Sequence, residues 1–444
     1  MKFPLGWLLD HAAAPIKYRA YADVARFPVE PGSPLSMLPY SFEPAMRLAV
    51  TLLIMTIGNG GMYVVAVMLP AVQAEFGVAR GSASLPYTLM MIGFGVGGVL
   101  MGRLADRHGA MLPILIGSVS LGLGFVLAGL SGSIWTFMLA HGVLIGFAGC
   151  AAMFAPLIAD TSLWFVRRRG IAVAICASGN YLAGTIWPQI AQHFIELIGW
   201  RQTYFWLAGF SFLTLAALAP LMRRRAPALA LSGPVQAGMA GSISGRPFGL
   251  SPGQAQAFLC VAGVACCVAM SMPQVHIVAY CGDLGYGAAR GAQMLSLMLA
   301  CGIVSRLISG AICDRIGGLR TLLLGSALQG VALLLFLPFD SLASLFVVSA
   351  LFGLFQGGIV PAYAIIVREY FPPREAGARV GTVIMCTLLG MALGGWMSGV
   401  VFDLTGSYHA AFINGIAWNL LNLAIAFYLW RRVRSRELPP QGVS

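Results

Sequence analysis

One arginine lies in the middle of an apolar part of the chain, and its chemistry raises the question of function. Arg306 falls inside CGIVSRLISGAICDRIGG, residues 301 to 318, and it carries the single charge between Gly291 and Cys313. A charge in such surroundings is costly unless it is paired. Because a guanidinium binds a carboxylate through two parallel hydrogen bonds, Arg306 is a candidate anion-binding residue.

The carboxylates of the chain are all predicted to lie at the ends of the apolar segments, where none of them reaches Arg306. Ten of the 15 lie at one end, namely Asp10, Asp23, Glu30, Glu43, Asp106, Asp160, Asp314, Glu369, Glu375 and Glu437, and five lie at the other, namely Glu75, Glu196, Asp283, Asp340 and Asp403. The simplest counter-ion is therefore a small organic anion. A monocarboxylate fits best, because a dianion would leave a second charge unpaired.

Further polar side chains fall within the apolar segments at a depth similar to that of Arg306. They are Asn59, Tyr63, Asn180, Tyr181, Gln274, His276, Gln356 and Tyr363. Each could instead form a hydrogen bond that only packs two helices together. Together with Arg306, they are predicted to line a substrate-binding cavity.

The scaffold that positions these residues is predicted to be a membrane protein. Of 444 residues, 59% are hydrophobic and 9% are charged, which is too little charge to cover a soluble protein of this size. About 20 apolar helical residues cross a hydrocarbon core. We predict twelve spans, at residues 47–71, 85–103, 112–130, 134–159, 171–195, 200–222, 255–281, 291–313, 320–338, 343–367, 380–402 and 409–431.

The positive charges predict the orientation of these spans. Of the 27 Lys and Arg residues, 23 lie on the side that also carries both termini, whereas Arg80, Arg201 and Arg290 lie on the opposite side. Positive residues stay in the cytoplasmic loops. Both termini are therefore predicted to be cytoplasmic, in the inner (plasma) membrane of a bacterium, where the formal charge of +12 meets anionic lipid and does not indicate nucleic acid.

The depth of Arg306 favours a cavity over the membrane surface. It lies eight residues before Asp314, about 12 Å along the helix at 1.5 Å per residue. Helical side chains tilt toward the N-terminus of their helix, so Arg306 is predicted to point toward the middle of the membrane. That direction disfavours snorkelling and is typical of an arginine facing a polar cavity.

An internal repeat divides the chain into two halves. Both GRLADRHG, residues 102 to 109, and GAICDRIG, residues 310 to 317, read G-x-x-x-D-R-x-G at an offset of 208 residues. Two pseudo-symmetric six-helix bundles can rock about a site between them and expose it to each side in turn. The predicted divisions are a cytoplasmic tail at 1–45, bundles at 46–222 and 254–432, a cytoplasmic linker at 223–253 and a cytoplasmic tail at 433–444.

The duplicated motif resembles the signature loop of the major facilitator superfamily. WFVRRRGIAVAICASG, residues 164 to 179, FDLTGSY, residues 402 to 408, and the arginine of the eighth span resemble the monocarboxylate transporters and the bacterial oxalate–formate antiporter-like branch. The resemblance implies an all-α membrane fold of twelve helices in two six-helix bundles. It also implies a secondary active transporter, working as a symporter or an antiporter.

The duplicated loops are predicted to control the conformation. Asp106 and Asp314 can accept hydrogen bonds from the free N–H groups at the start of a neighbouring helix, and Arg107 and Arg315 can pair with the carboxylates. Such contacts would latch the cytoplasmic side shut. The alternative is that the loops only set the topology.

The coupling of transport is left open by the sequence. In the family that this chain resembles, an acidic residue one turn before the arginine of the eighth span often takes part in proton coupling, and here that position is Gly302. His276, protons carried by the substrate, exchange for a counter-anion and facilitated diffusion remain as alternatives. No cofactor or metal is expected, and the protein is expected to be a monomer in the lipid bilayer.

Other classes of function are weaker interpretations. GFGVGG, residues 93 to 98, lies inside an apolar span without a preceding strand, so its glycines more plausibly allow close helix packing. GLSG, residues 129 to 132, lies at a loop with no histidine placed to activate a serine nucleophile, so an enzyme is not expected. An exporter of amphiphilic or drug-like compounds is the main alternative, and a non-transporting membrane sensor is another.

Overall fold

The computed structural model describes residues 42–165, 169–224 and 247–437, and these residues form helices and short connections with no strand among them. Twelve helical segments are long and apolar enough to cross a membrane, as the sequence predicts. They are α1 (Ala45–Phe76), α2 (Arg80–His108), α3 (Met111–Gly129), α4 (Ile134–Trp164), α5 (Ile171–Ile198), α6 (Trp200–Met222), α7 (Pro252–Asp283), α8 (Ala288–Ile316), α9 (Gly318–Leu335), α10 (Leu342–Tyr370), α11 (Glu375–Thr405) and α12 (Tyr408–Ser435).

The helices form two bundles, α1 to α6 and α7 to α12, which meet mainly along three helix pairs. Helix α2 packs against α11, α5 packs against α8, and α1 packs against α7. We call the side of the bundles at which α1 begins and α12 ends the terminal side, and the opposite side the distal side. This architecture confirms the predicted fold class.

Most helices extend beyond the apolar runs that predict them. Helix α2 begins at Arg80, and α8 continues through Arg315 to Ile316. A hydropathy criterion ends at the first polar residues, whereas backbone hydrogen bonding continues until a cap or a glycine ends it. Helix α7 begins at a capping box, in which the side chain of Ser251 and that of Gln254 each accept a hydrogen bond from the other residue's backbone N–H.

Three membrane segments are interrupted in their middle, which the sequence analysis did not predict. Helix α1 is interrupted between Gly58 and Gly61, and α10 is interrupted between Gln356 and Ile359. In α4, a π-helical part at Ala140–Gly149 precedes a 3₁₀ turn. Interrupted helices are frequent at binding sites inside membrane bundles, because they present polar groups in a protein-lined space.

Glycines of the GFGVGG stretch allow helices to approach closely, as expected from the sequence. A Cβ atom at Gly97 would lie 2.0 Å from the carbonyl oxygen of Phe147, and one at Gly93 would lie 2.2 Å from that of Gly142. Both contacts join α2 to α4. The stretch is therefore a packing surface within the first bundle.

The predicted division into tails, bundles and linker remains a prediction. Residues 1–41, 225–246 and 438–444, which include most of both tails and of the linker, lie outside the described residues. Within the described part, the first helix already begins at Phe42, and the last continues to Glu437.

Candidate functional site

Arg306 lies on α8 where this helix packs against α5 of the other bundle. Its Nη1 donates a hydrogen bond to the carbonyl oxygen of Ala177 at 3.1 Å, and its guanidinium lies 4.2 Å from the centre of the Tyr181 ring. The Nε atom is buried without a hydrogen-bond partner. Within the described part of the chain, no carboxylate lies at ion-pair distance from Arg306, so its charge is held by a carbonyl and an aromatic face.

Tyr181 lies next to two residues that are one turn apart on α8. A Cβ atom at Gly302 would lie 2.9 Å from Cε1 of the Tyr181 ring, while Arg306 stacks on the same ring. Tyr181 is buried, with 6% of its surface exposed. Gly302, Tyr181 and Arg306 therefore form one packed group across the two bundles.

Tyr63 lies in the first turn of the second helical part of α1, just after the interruption. A Cβ atom at Gly184 would meet both the Tyr63 ring and Leu299, which places Tyr63 at the junction of α1, α5 and α8. Tyr63 is also within electrostatic range of Arg306.

Asn59 lies in the interruption of α1, between the helical parts that end at Gly58 and begin at Gly61. Asn59 Nδ2 donates to the carbonyl oxygen of Met55 at 2.8 Å, and its Oδ1 is buried without a partner.

Three further predicted residues contribute unpaired or mutually paired amides. Asn180 precedes Tyr181, and its Oδ1 is buried without a partner. Gln274 Nε2 donates to Gln356 Oε1 at 3.2 Å, whereas Gln356 Nε2 has no partner. Gln356 ends the first part of α10, and a Cβ atom at the next residue, Gly357, would lie 2.4 Å from the carbonyl oxygen of Gly302. The interruption of α10 thus places the Gln356 amide beside the turn of α8 that precedes Arg306.

The remaining two predicted binding residues have hydrogen-bond partners within the second bundle. His276 accepts a hydrogen bond at Nδ1 from the Tyr408 hydroxyl at 3.1 Å and donates from Nε2 to the carbonyl oxygen of Gly395 at 2.7 Å. The Tyr363 hydroxyl donates to Asn422 Oδ1 at 2.8 Å. Their part in substrate binding stays a prediction.

The duplicated D-R loops lie at the terminal side with exposed side chains. Asp106, Arg107, Asp314 and Arg315 are all exposed. Asp314 and Arg315 make no hydrogen bond or ion pair with another described residue. The latch predicted for these loops stays a prediction.

A different acid occupies the helix start that follows the second loop. Both carboxylate oxygens of Glu369 on α10 accept hydrogen bonds from the backbone N–H of Gly318, at 3.1 and 3.2 Å. Gly318 is the first residue of α9, where a carboxylate satisfies a free N–H and the positive end of the helix dipole. Glu369 therefore fills at α9 the kind of role that the sequence suggested for an aspartate of the loop.

At the distal side, Arg80 at the start of α2 joins the two bundles. Its guanidinium forms an ion pair with Asp283 at the end of α7, donates to the Tyr408 hydroxyl at 3.1 Å and lies 4.3 Å from the centre of the Phe402 ring. The backbone N–H of Arg80 donates to Asp403 Oδ1 at 2.8 Å. We call Arg80, Asp283, Asp403 and Tyr408 the distal gate.

The backbones of the two bundles touch directly beneath the distal gate. The N–H of Gly81 donates to Asp403 Oδ2 at 2.7 Å. A Cβ atom at Gly399 would lie 2.9 Å from the Cα atom of Gly81 and 2.9 Å from the carbonyl oxygen of Arg80. Two turns further in, the Thr88 hydroxyl donates to the carbonyl oxygen of Ala392 at 3.0 Å. The distal side is closed by these contacts.

The sequence analysis placed the charged residues of the distal gate on one side but did not pair them. Asp283 and Asp403 are separated from Arg80 by 203 and 323 residues, so no local spacing signals the contact. The sequence signal that could have singled out Arg80 is that few positive residues lie on the distal side.

The comparisons with known proteins agree on one family. A family model described as Major Facilitator Superfamily matches residues 51–342 and 294–444. The chain is 28% identical over 333 residues to monocarboxylate transporter 13 of Bos taurus, covering 74% of this chain and 75% of that protein. It is 25% identical over 342 residues to the MFS-type transporter pynF of Aspergillus niger, covering 76% of each.

A solved structure shows the same fold. It is that of a bacterial homolog of the human lysosomal transporter Spinster, in an inward-facing and unoccupied conformation. The TM-score is 0.65 at 15% identity, and the match covers 90% of this chain and 99% of that one.

Proposed function

Because the chain belongs to the major facilitator superfamily, and is thus a membrane transporter and not an enzyme, we propose that it moves a small organic anion, in particular a monocarboxylate, by alternating access. The observation that carries the proposal is Arg306, whose Nε atom is buried without a partner. A carboxylate of the substrate would supply the missing acceptor and the missing charge.

The surroundings of Arg306 support a single negative charge. Asn59, Asn180, Gln274 and Gln356 are neutral amides, and the Tyr181 ring covers one face of the guanidinium. A second negative charge on the substrate would therefore be desolvated without a cation. The amides offer hydrogen bonds to neutral polar groups of the substrate.

The position of Arg306 between the bundles connects binding to movement. Arg306 belongs to α8 of the second bundle, whereas Ala177, Asn180 and Asn59 belong to the first. A carboxylate held by Arg306 and by an amide of the first bundle is bound by both bundles, so its affinity differs between conformations that change their separation. Such differential affinity is what a transported substrate needs in order to shift the conformational equilibrium.

We further propose the orientation and the assembly. The positive residues cluster at the terminal side, so this side faces the cytoplasm of a bacterial cell and the distal gate faces outward. The protein acts as a monomer in the inner membrane and needs no nucleic acid. His276 and Tyr363 are retained as candidate binding residues for conformations in which their present hydrogen bonds open.

The test is uptake of a labelled carboxylate panel into proteoliposomes, with and without a pH gradient. We expect Arg306→Ala to lose nearly all carboxylate uptake, because the site loses two charge-assisted hydrogen bonds. Arg306→Lys should raise the half-saturation concentration by roughly tenfold or more, since an ammonium cannot form the bidentate pair. Full carboxylate uptake by correctly inserted Arg306→Ala protein would refute the assignment.

Arg290→Ala is the matched control. Arg290 lies on the same helix at the distal side, is exposed and donates to Gln293 at 3.0 Å. Its removal should leave the half-saturation concentration unchanged. If the wild type instead transports neutral amphiphilic compounds, and does so equally well without Arg306, the alternative of an exporter of drug-like compounds is favoured.

A further inference from the structure

The distal gate holds two acids of the second bundle against one base of the first. Asp283 and Asp403 lie on α7 and α11, while Arg80 lies on α2. The Arg80 side chain is 11% exposed and that of Asp283 is 37% exposed, and Asp403 is exposed as well. The carboxylates are thus in contact with solution on the distal side, and the guanidinium is largely covered by protein.

Both acids lie where their own helices disfavour negative charge. Asp283 is the last residue of α7, and Asp403 lies in the last turn of α11. The C-terminal end of a helix carries a partial negative charge. In the closed gate this is offset by Arg80 and by the N-terminus of α2, whose first two N–H groups bind Asp403. All of the offsetting groups belong to the first bundle.

Opening the distal side must separate these partners. The bundles can only part at this side if α2 moves away from α7 and α11, which removes Arg80 and the α2 N-terminus from both carboxylates at once. Tyr408 and His276 stay behind on the second bundle. In the closed gate the Tyr408 hydroxyl accepts from Arg80 and donates to His276, so one hydrogen-bonded chain runs inward from the gate.

The other groups around the gate do not replace Arg80. Gln73 of α1 accepts a hydrogen bond from Arg80 Nε at 3.0 Å. Asp340 accepts from the Tyr280 hydroxyl at 3.2 Å and lies 3.8 Å from His409. The titratable and charged groups facing the gate are Arg80 from α2, His276, Tyr280 and Asp283 from α7, Asp340 from the α9–α10 connection, Asp403 from α11, and Tyr408 and His409 from α12.

We propose that the distal gate is a protonation site. Two groups take turns in neutralising the carboxylates of Asp283 and Asp403, namely Arg80 and a proton from the distal solution. The closed gate uses Arg80. The open gate takes up a proton on a carboxylate oxygen. Acid on the distal side therefore favours the distal-open conformation.

The distal gate would give this chain a response to protons although position 302, where related transporters often have an acid, is a glycine. It does not depend on the identity of the substrate or on the role of Arg306. A failure of the anion proposal would leave it intact, because its test measures conformation in the absence of substrate.

The experiment is a distance measurement between the two bundles at the distal side. Leu130, at the end of α3, and Leu334, in the last turn of α9, are 65% and 51% exposed, so Leu130→Cys and Leu334→Cys can carry spin labels without disturbing the core. The partly exposed Cys260, Cys301 and Cys386 are replaced by serine. Distances are recorded by pulsed electron resonance in lipid nanodiscs between about pH 8 and about pH 4, a range that extends to the ordinary pKa of an aspartate carboxyl, about 3.9.

On acidification, we expect the ratio of the long-distance population to the short-distance population of the wild type to rise at least about fivefold. Asp403→Asn and Asp283→Asn imitate the protonated acids, so each should raise this population at neutral pH. The double variant should abolish the response to pH. Arg80→Gln should open the gate at neutral pH and weaken the response to acid, because Asp283 then has no partner that distinguishes the closed gate from the open one, and only the N–H groups of the α2 N-terminus still do so for Asp403.

Glu75→Gln is the matched control. Glu75 also lies at the distal side, but it pairs with Arg201 inside the first bundle, at 2.6 Å. Its removal should not change the distance distribution. A wild-type distribution that is the same at both pH values would overturn the proposal, as would an unaltered response to pH in the Asp283→Asn and Asp403→Asn double variant. Elution of each variant as a single detergent-solubilised species checks that it is folded.

Discussion

The packed group of Gly302, Tyr181 and Arg306 gives a quantitative prediction for substrate affinity. In Gly302→Ala, the new Cβ atom would lie 2.9 Å from Cε1 of Tyr181, about 0.6 Å less than the separation of two carbon atoms at contact. Because the Arg306 guanidinium stacks on the same ring, we expect a shift of the ring to displace the guanidinium as well. Overpacking of this kind costs about 1–3 kcal/mol, so we expect the half-saturation concentration for a carboxylate to rise by roughly fivefold or more.

Gly302→Asp adds a charge to the same steric change. The new carboxylate lies one turn from Arg306 on the same helix face and competes with the substrate for the guanidinium. Losing a charge-assisted hydrogen bond costs about 1.5–3 kcal/mol, so Gly302→Asp should weaken carboxylate binding by roughly a further tenfold relative to Gly302→Ala. The difference in half-saturation concentration between the two variants therefore measures the effect of the added charge separately from the steric effect.

The assay is uptake by proteoliposomes as a function of carboxylate concentration, together with thermal stability of the same preparations. Gly310→Ala is the control, because it lies on the same helix and a Cβ atom there meets nothing within 4 Å. Combining Gly302→Ala with Tyr181→Leu should remove most of the steric penalty. Normal yield with equal half-saturation concentrations in wild type, Gly302→Ala and Gly302→Asp would show that this group is not part of the substrate site.

Three other predictions follow from contacts elsewhere in the molecule. Asp106→Asn and Asp314→Asn should slow transport at unchanged substrate affinity, because they remove contacts of one conformation only; loss of binding, measured by equilibrium dialysis, would contradict this. Glu369→Ala should lower the free energy of unfolding by about 1–2 kcal/mol through loss of the cap on α9, and a melting curve identical to that of Glu375→Ala would argue against it. Gly353→Ala should reduce thermal stability strongly, since its Cβ atom would lie 1.9 Å from the carbonyl oxygen of Met298, whereas Gly377→Ala, which meets nothing within 4 Å, should melt like the wild type.

The elements of this fold could be predicted from the sequence because their signals are local. The length of an apolar run reports directly on its ability to cross a membrane, and the repeated G-x-x-x-D-R-x-G motif reports on the duplication. The interruptions at Asn59–Gly60 and Gly357–Gly358 were not predicted, since glycines in an apolar run are equally compatible with an unbroken, closely packed helix.

The chemistry of the candidate site could be predicted from the sequence, whereas the contacts between its residues could be predicted less well. A deep arginine without an acid in its span was enough to single out Arg306. That Tyr181 would cover its face, or that Tyr363 would bond to Asn422, depends on which helices become neighbours. The same holds for the choice between Asp314 and Glu369 at the start of α9, because both acids lie at the terminal side and three-dimensional position alone decides between them.

The direct backbone contact between Gly81 and Gly399 also has a mechanical consequence. A contact without intervening side chains is stiff, so it can serve as a fulcrum while the distal side stays shut. Helix α2 extends 25 residues from Gly81 to Asp106, a lever arm of roughly 37 Å. A rotation of about 10° about this point would displace the D-R loop by roughly 6 Å, comparable in size to the subunit rotations of other switching proteins. A small carboxylate could therefore be enclosed from the terminal side by a rigid tilt, with α2 unbent and the distal gate unbroken.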